Sequence, residues 1–303
     1  MTLTELRYIV AVARLRHFGK AAEACFVSQP TLSVAVRKLE EDLGVRLFER
    51  NPSDVLITAI GAVIVAQAEL VLSAAEGVRE IAAAAHDPLG RQLKLGVIYT
   101  VGPYLVPRLI TGLKRHAPTM SLVVKENFTD ALATQLKCGE LDAAIMSLPY
   151  VDPHLLSRPL YDEPFQIALP AGHLLANKKR VLASDLASDT VLLLGARNCF
   201  RDQVIEICPP GVALGALQKT LEGSSLETIC QMVAMGAGLT ILPVTMRIHD
   251  DLAEHLVLRP FVAPAPVRTI ALFYRRGFAR PQLIQCLANV VREAKLGGVE
   301  YCA

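Results

Sequence analysis

A change of pattern near residue 90 constrains the fold of this chain more than any other feature. Before it, apolar residues recur at helical spacing, whereas from Arg91 onward short apolar runs alternate with helical patterns. We predict strands at 93–98, 122–124, 143–146, 165–169, 191–194, 239–242 and 269–273. Such alternation indicates an α/β fold with a mostly parallel sheet. Over this length, it predicts two subdomains with a ligand cleft between them.

The first 58 residues have the pattern of a helix-turn-helix followed by a hairpin. Ser28 stands where a helix N-cap belongs, and Pro30 suits the first turn because its missing N–H would have no partner there. The following helix has a buried apolar stripe and a polar, basic outer face. The segment 44–50, with a return strand at 55–58, predicts a wing. Spacing alone leaves two interpretations open, which are a DNA-reading helix and an ordinary solvated surface.

Residues 59–86 predict one long alanine-rich helix that is apolar around most of its circumference and should pack against another copy. We expect the segment 59–72 to be too short and too polar to span a bilayer. The N-terminus lacks the apolar region of a secretory signal, so we expect a cytoplasmic protein that does not bind membranes. The net charge of +2 means that any nucleic-acid surface must be local.

Catalytic and metal-binding motifs are missing from the sequence. It has no G-x-S-x-G, H-E-x-x-H or P-loop motif, so we expect neither an enzyme nor a cofactor. Its seven cysteines form no C-x-x-C pair or Cys/His cluster, which argues against a metal site. An odd count without a signal segment also argues against a secreted disulfide framework.

A long, ordered set of residues in the first half resembles the LysR-type transcriptional regulators, and the resemblance covers essentially the full chain. The residues that carry it are Leu6-Arg7-Tyr8, His17-Phe18, Ala21-Ala22, Ser28-Gln29-Pro30-Thr31-Leu32-Ser33, Arg37-Lys38-Leu39-Glu40, Leu43-Gly44-Val45 and Leu47-Phe48-Glu49-Arg50. The resemblance implies a winged helix-turn-helix at 1–58, a linker and dimerisation helix with a hinge at 59–90, and an effector domain at 91–303. The effector domain would be two-lobed, like a periplasmic binding protein, with lobe I at about 91–161 and 268–303 and lobe II at about 162–267.

Within that family, the chain most resembles the peroxide-sensing OxyR group. The most telling segment is Cys199-Phe200-Arg201-Asp202-Gln203 with Cys208 nine positions after the first cysteine. This resemblance implies an activator of oxidative-stress genes that senses hydrogen peroxide through a peroxidatic Cys199 and a resolving Cys208. It further implies a tetramer built as a dimer of dimers, promoter DNA as partner, and contact with RNA polymerase.

The cysteine pair could act as a mechanical switch. Nine residues of helix rise about 13.5 Å, whereas a disulfide needs Cα atoms about 4.4–6.8 Å apart. Because the segment between the cysteines has a helical pattern, bonding Cys199 to Cys208 would require it to unwind. Two unrelated buried thiols are the alternative interpretation.

The resemblance also assigns residues to the two sites. Around the thiol it implies Thr100, Thr129, Asn198, Arg201, Asp202 and Arg268. On DNA we expect Gln29, Pro30 and Ser33 to face base edges, Thr31, Arg37, Lys38 and Arg50 to favour phosphates, and Ser28 to cap the reading helix. Asn198 departs from the group's usual His, so we expect a less activated thiol. A regulator that binds a small organic effector in the cleft is the alternative function.

Overall fold

The structure, a computed structural model, describes residues 1–50, 55–84, 89–209, 213–214, 225–248 and 250–302. The chain divides into two compact units, residues 1–86 with 137–139, and residues 87–136 with 140–303. In the described part of the chain the α-helices are α1 (Leu3–Leu15), α2 (Phe18–Ala24), α3 (Gln29–Leu43), α4 (Ala59–Ala84), α5 (Gly102–His116), α6 (Thr129–Lys137), α7 (Cys199–Ile207), α8 (Leu226–Ala234) and α9 (Pro281–Glu293). The strands are β1 (Phe48–Arg50), β2 (Val55–Ile57), β3 (Leu93–Ile98), β4 (Leu122–Asn127), β5 (Ala143–Ser147), β6 (Leu155–Pro170), β7 (Thr190–Val191), β8 (Ala213–Leu214), β9 (Thr240–Pro243), β10 (Leu256–Pro260), β11 (Val267–Arg275) and β12 (Glu300–Tyr301).

The first unit contains the predicted helix-turn-helix, α2 and α3. Ser28 caps α3 with its side chain, accepting a hydrogen bond from the backbone N–H of Thr31, and Pro30 lies in the first turn. Leu32, Val36 and Leu39 are buried against α1 and α2, as their spacing predicts. Strands β1 and β2 pair antiparallel and form the predicted hairpin, whose tip at 51–54 lies outside the described residues. The winged helix-turn-helix prediction is therefore confirmed.

Helix α4 has 26 residues and carries several exposed apolar side chains, among them Ile60, Val63 and Val78. Over Ala59–Arg79 it is long and apolar enough to cross a membrane by length and composition. The sequence analysis ended this apolar segment too early, at Leu72, although the stretch 59–72 by itself is too short to span a bilayer. Length and composition alone do not distinguish a membrane span from a helix that packs against a second copy.

The second unit is an α/β fold, but its sheet is mixed. Strand order is β10-β6-β11-β5-β3-β4, with β9 and β12 also paired to β6. Only β3 pairs parallel with its neighbours β4 and β5 in this sheet, whereas every described partner of β6 and β11 is antiparallel. The expectation of a mostly parallel sheet was wrong because the 16-residue β6 pairs antiparallel with β9, β10, β11 and β12.

Two hydrophobic cores lie along β6. Leu160 and Tyr161 belong to a core with β3, β5, α5, α9 and β11, which we call core I. Phe165 and Ile167, a few residues later, belong to core II with α7, α8 and β9. The two cores share one long strand, and the site described next lies where the elements of core I meet those of core II.

Candidate functional site

Helix α7 begins at Cys199 and ends at Ile207, and Cys208 follows it directly. Asn198 is its N-cap, because its Oδ1 accepts a hydrogen bond from the backbone N–H of Phe200 at 3.2 Å. The helical segment predicted between the two cysteines is confirmed. Cys199 therefore lies in the first turn of α7, directly after the N-cap.

Cys199 is half-buried and opens on a cavity of about 480 Å³, which we call the thiol cavity. Thr129, the first residue of α6, donates a hydrogen bond from Oγ1 to Cys199 Sγ at 3.3 Å. This contact joins α6 of core I to the start of α7. The cavity is lined by Phe128, Thr129, Asp130, Ala131, Ser147, Leu148, Pro149, Tyr150, Ala196, Arg197, Asn198, Cys199, Asp202, Gln203 and Glu206.

The two thiols of the predicted pair pack on different cores. Cys199 packs against core I and Cys208 against core II, and both are free cysteines. Burial raises the pKa of Cys208 to about 11, so its thiol stays protonated at neutral pH. At 1.5 Å per residue the helix separates the two positions by about 13.5 Å, well beyond disulfide range.

Gln203 fastens the middle of α7 to the end of β5, a role that the sequence analysis did not assign. Its Nε2 donates to Ser147 Oγ at 2.8 Å and to the carbonyl of Leu148 at 3.2 Å. Its Oε1 is buried without a protein partner and belongs to a residue that lines the thiol cavity.

Arg268 forms its hydrogen bonds with Glu163 and Thr100 and not with the Cys199 thiol. It is fully buried and pairs with the carboxylate of Glu163, with 2.6 Å between Nε and Oε2. Its two Nη atoms donate to the side chain and the carbonyl of Thr100, at 2.8 and 3.1 Å, and its guanidinium lies 5.0 Å from the Phe200 ring centre. Because Phe200 directly follows Cys199, the ion pair of Arg268 with Glu163 packs against the first turn of α7 through the Phe200 ring.

The remaining predicted residues around the thiol divide between cavity and scaffold. Asp202 is exposed and lines the thiol cavity. The guanidinium of Arg201 instead donates to the carbonyl of Leu194 at 3.2 Å, and Arg201 is not among the lining residues. The structure therefore brings Thr129, Asn198 and Asp202 to the cavity of Cys199. Thr100, Arg201 and Arg268 instead form hydrogen bonds outside the lining of that cavity.

A second cavity of about 500 Å³ lies beside the first and shares Phe128, Ala196, Arg197 and Asn198 with it. The guanidinium of Arg197 lies 4.7 Å from the Phe128 ring centre, so these two shared side chains are stacked on each other. Thr100 lines this second cavity rather than the thiol cavity.

Seven of the eight predicted DNA-binding residues lie on α3 or directly before it. Ser28, Gln29, Pro30, Thr31, Arg37 and Lys38 are exposed, whereas Ser33 is half-buried. The hydroxyls of Ser28 and Thr31 are 2.8 Å apart and bond to each other. Arg50 is the last residue of β1, and its side chain lies outside the described part of the structure. Among the residues described, no group of three His, Cys, Asp or Glu side chains could hold a metal ion.

Comparison with known proteins agrees with this geometry. Residues 3–62 match the bacterial regulatory helix-turn-helix protein family of lysR type, and residues 86–295 match the LysR substrate binding domain. A hydrogen peroxide-inducible genes activator of Pectobacterium carotovorum subsp. carotovorum is 39% identical over 301 residues, which covers 99% of both proteins.

Two solved structures show the same fold. A full-length OxyR variant from Pseudomonas aeruginosa has 49% identity and a TM-score of 0.80, covering 96% of this chain and 95% of its own. An H2O2-bound OxyR mutant of Corynebacterium glutamicum has 31% identity and a TM-score of 0.65, covering 97% of this chain and 92% of its own.

Proposed function

The chain belongs to the LysR family of bacterial transcriptional regulators, and from that premise we propose that it senses hydrogen peroxide and activates oxidative-stress genes through Cys199 and Cys208. The observation that carries the proposal is the placement of these two thiols at opposite ends of α7, on different cores. A disulfide between them cannot form while α7 is intact, so oxidation and refolding are coupled.

The first chemical step takes place in the thiol cavity. The Cys199 thiolate attacks one peroxide oxygen, the O–O bond breaks, and the leaving oxygen takes up a proton to become water. Sulfur is oxidised to a sulfenic acid as peroxide is reduced. Thr129 stabilises the thiolate through its hydrogen bond to sulfur, while Asn198 and Asp202, which line the cavity, offer partners for the peroxide hydroxyls.

The second step closes the switch. Cys208 deprotonates and attacks the sulfenic sulfur, forming the S–S bond and releasing water. Since burial on core II raises the pKa of Cys208 to about 11, leaving that core makes the thiol easier to deprotonate at neutral pH. Unwinding α7 provides this release, and it also breaks the Gln203 bonds to Ser147 and Leu148.

The remaining parts of the proposal follow the domain division. We assign 1–58 to DNA binding, 59–90 to dimerisation, and 91–303 to sensing, with the two cores as the centres of lobes I and II. Thr100, Arg201 and Arg268 would position α7 rather than touch peroxide. The protein would act in the cytoplasm as a dimer of dimers on pseudo-palindromic promoter DNA, with RNA polymerase as partner and without a membrane or a cofactor.

The test counts thiols after treatment with micromolar peroxide. Mass spectrometry of the alkylated protein should show the loss of two thiols, confined to Cys199 and Cys208. The Cys199→Ser variant should lose neither. If all seven thiols survive, and an organic acid instead binds tightly and alters DNA binding, the protein is a regulator that responds to a small organic effector.

A further inference from the structure

Three exposed apolar side chains lie on the reading helix α3 and in the turn directly before it. They are Phe26, Pro30 and Val34, and we call them the apolar stripe. Phe26 is 95% exposed and Val34 is 68% exposed. Pro30 and Val34 are four residues apart, which places them on the same face of the helix.

Val34 points away from the core of the first unit. At roughly 100° per residue, it lies roughly 140–200° around α3 from the buried residues Leu32, Val36 and Leu39. Arg37 and Lys38 are exposed one turn further along the helix. Val34 is therefore at the centre of a face with cations beside it, whereas the predicted base contact Ser33 is half-buried at its edge.

Phe26 occupies a position that favours glycine. The backbone N–H groups of Phe26 and Val27 bond to the carbonyls of Glu23 and Ala22, which is the Schellman arrangement at the end of α2. The residue at this point adopts a left-handed conformation, and Phe26 has φ +57°. A side chain here strains the backbone, and the ring gains little burial in return because it is almost fully exposed.

We infer that the apolar stripe contacts thymine 5-methyl groups in the major groove and so contributes sequence preference; the inference rests on DNA binding by α3. Each of the four base pairs presents a distinct major-groove pattern, and the methyl of thymine is the apolar feature among them. Apolar side chains on the face that carries Arg37 and Lys38 match that methyl, while the cations match the phosphates on either side. The Val34 side chain has no hydrogen-bond donor or acceptor. It can contribute to binding by burying its apolar surface against a methyl group, which removes both from water.

The experiment compares duplexes with and without the methyl group. Duplexes that bind wild-type protein are selected from a random pool, and the tightest is then made with uracil in place of thymine. We expect wild-type protein to bind the uracil duplex about fourfold more weakly for each contacted thymine, as expected for loss of one buried methyl group. The Val34→Ala variant should bind the two duplexes with more nearly equal affinity.

A matched control and a second variant complete the test. Val151→Ala makes the same change at an exposed valine of the second unit and should keep the full discrimination. Phe26→Gly should raise the melting temperature, because strain is removed, and at the same time weaken binding to the thymine duplex. Equal wild-type affinity for both duplexes, or undiminished discrimination in Val34→Ala, would overturn the inference while leaving peroxide sensing intact. Wild-type affinity in Phe26→Gly would remove Phe26 from the stripe.

Discussion

Cys199 begins α7 and Cys208 directly follows it, so one helix holds the two thiols apart and presents each to a different hydrophobic core. The helix is short. Side-chain hydrogen bonds hold its start, through the Asn198 cap, and its middle, through the bond from Gln203 to Ser147 of β5. A covalent S–S bond can therefore compete with the contacts that keep α7 folded.

We predict that peroxide unfolds α7 locally. In reduced protein the amides of residues 203–207 are protected by helical hydrogen bonds, and after oxidation they should exchange at rates close to those of an unstructured segment. Hydrogen–deuterium exchange with mass spectrometry measures this. Helix α9, which packs on core I and contributes no residue to the lining of the thiol cavity, should keep its protection. Unchanged exchange in α7 after disulfide formation would contradict the coupling.

Thr129→Val should slow oxidation of Cys199 by about tenfold to a hundredfold. The substitution keeps the shape of the side chain but removes the hydroxyl that donates to sulfur, and a hydrogen bond to an ionised partner contributes about 1.5–3 kcal/mol. Stopped-flow kinetics of peroxide consumption gives the rate constant. Thr134→Val is the matched control, because Thr134 lies on the same helix and its hydroxyl bonds only to the Asp130 carbonyl. Equal rates for the two variants would show that the sulfur contact has no role.

Asn198→His should increase the rate of the peroxide step severalfold at neutral pH. A positive charge at the start of α7 stabilises the negative charge that the reacting Cys199 sulfur carries. Asn198→Asp provides the opposite charge while preserving the N-cap, so it should slow the step. The same stopped-flow assay measures both. If both variants moved the rate in one direction, capping rather than charge would control reactivity.

The raised pKa of Cys208 predicts two pH effects. In Cys199→Ser protein, alkylation of Cys208 by iodoacetamide should accelerate about tenfold per pH unit until the pH approaches about 11, whereas in urea it should level off near the ordinary thiol pKa. The unfolded chain also releases this proton at lower pH than the folded chain. The folded protein should therefore lose stability as pH rises from the ordinary thiol value toward about 11.

Chemical denaturation across that pH range checks the second effect, with Cys208→Ser as the control. Wild-type protein should lose more of its free energy of unfolding than the control over the same pH interval. Identical slopes in both proteins would mean that Cys208 does not change its pKa on folding.

The sequence predicted those parts of the structure that depend on neighbours in the chain. Ser28 and Pro30 identified the start of α3, and the pattern after Cys199 identified α7, because caps and helical periodicity are local. The antiparallel pairing of β6 was not predicted, because it depends on partner strands that lie far from β6 in the sequence. The bond from Gln203 to Ser147 joins residues 56 positions apart, and the pair of Arg268 with Glu163 joins residues 105 apart. No pattern around either residue indicates such a partner.

Lys38→Ala should weaken DNA binding equally for all sequences. Lys38 is exposed on the outer face of α3, next to Arg37, and a lysine that neutralises one phosphate releases about one counterion. The slope of log K against log salt should therefore become shallower by about 0.9, with no change in base preference. Fluorescence anisotropy with a selected duplex and with a scrambled duplex, each at several salt concentrations, measures both quantities. Lys125→Ala, at an exposed lysine on β4 of the second unit, should leave the slope unchanged. A loss confined to the selected duplex would place Lys38 on a base edge instead of a phosphate.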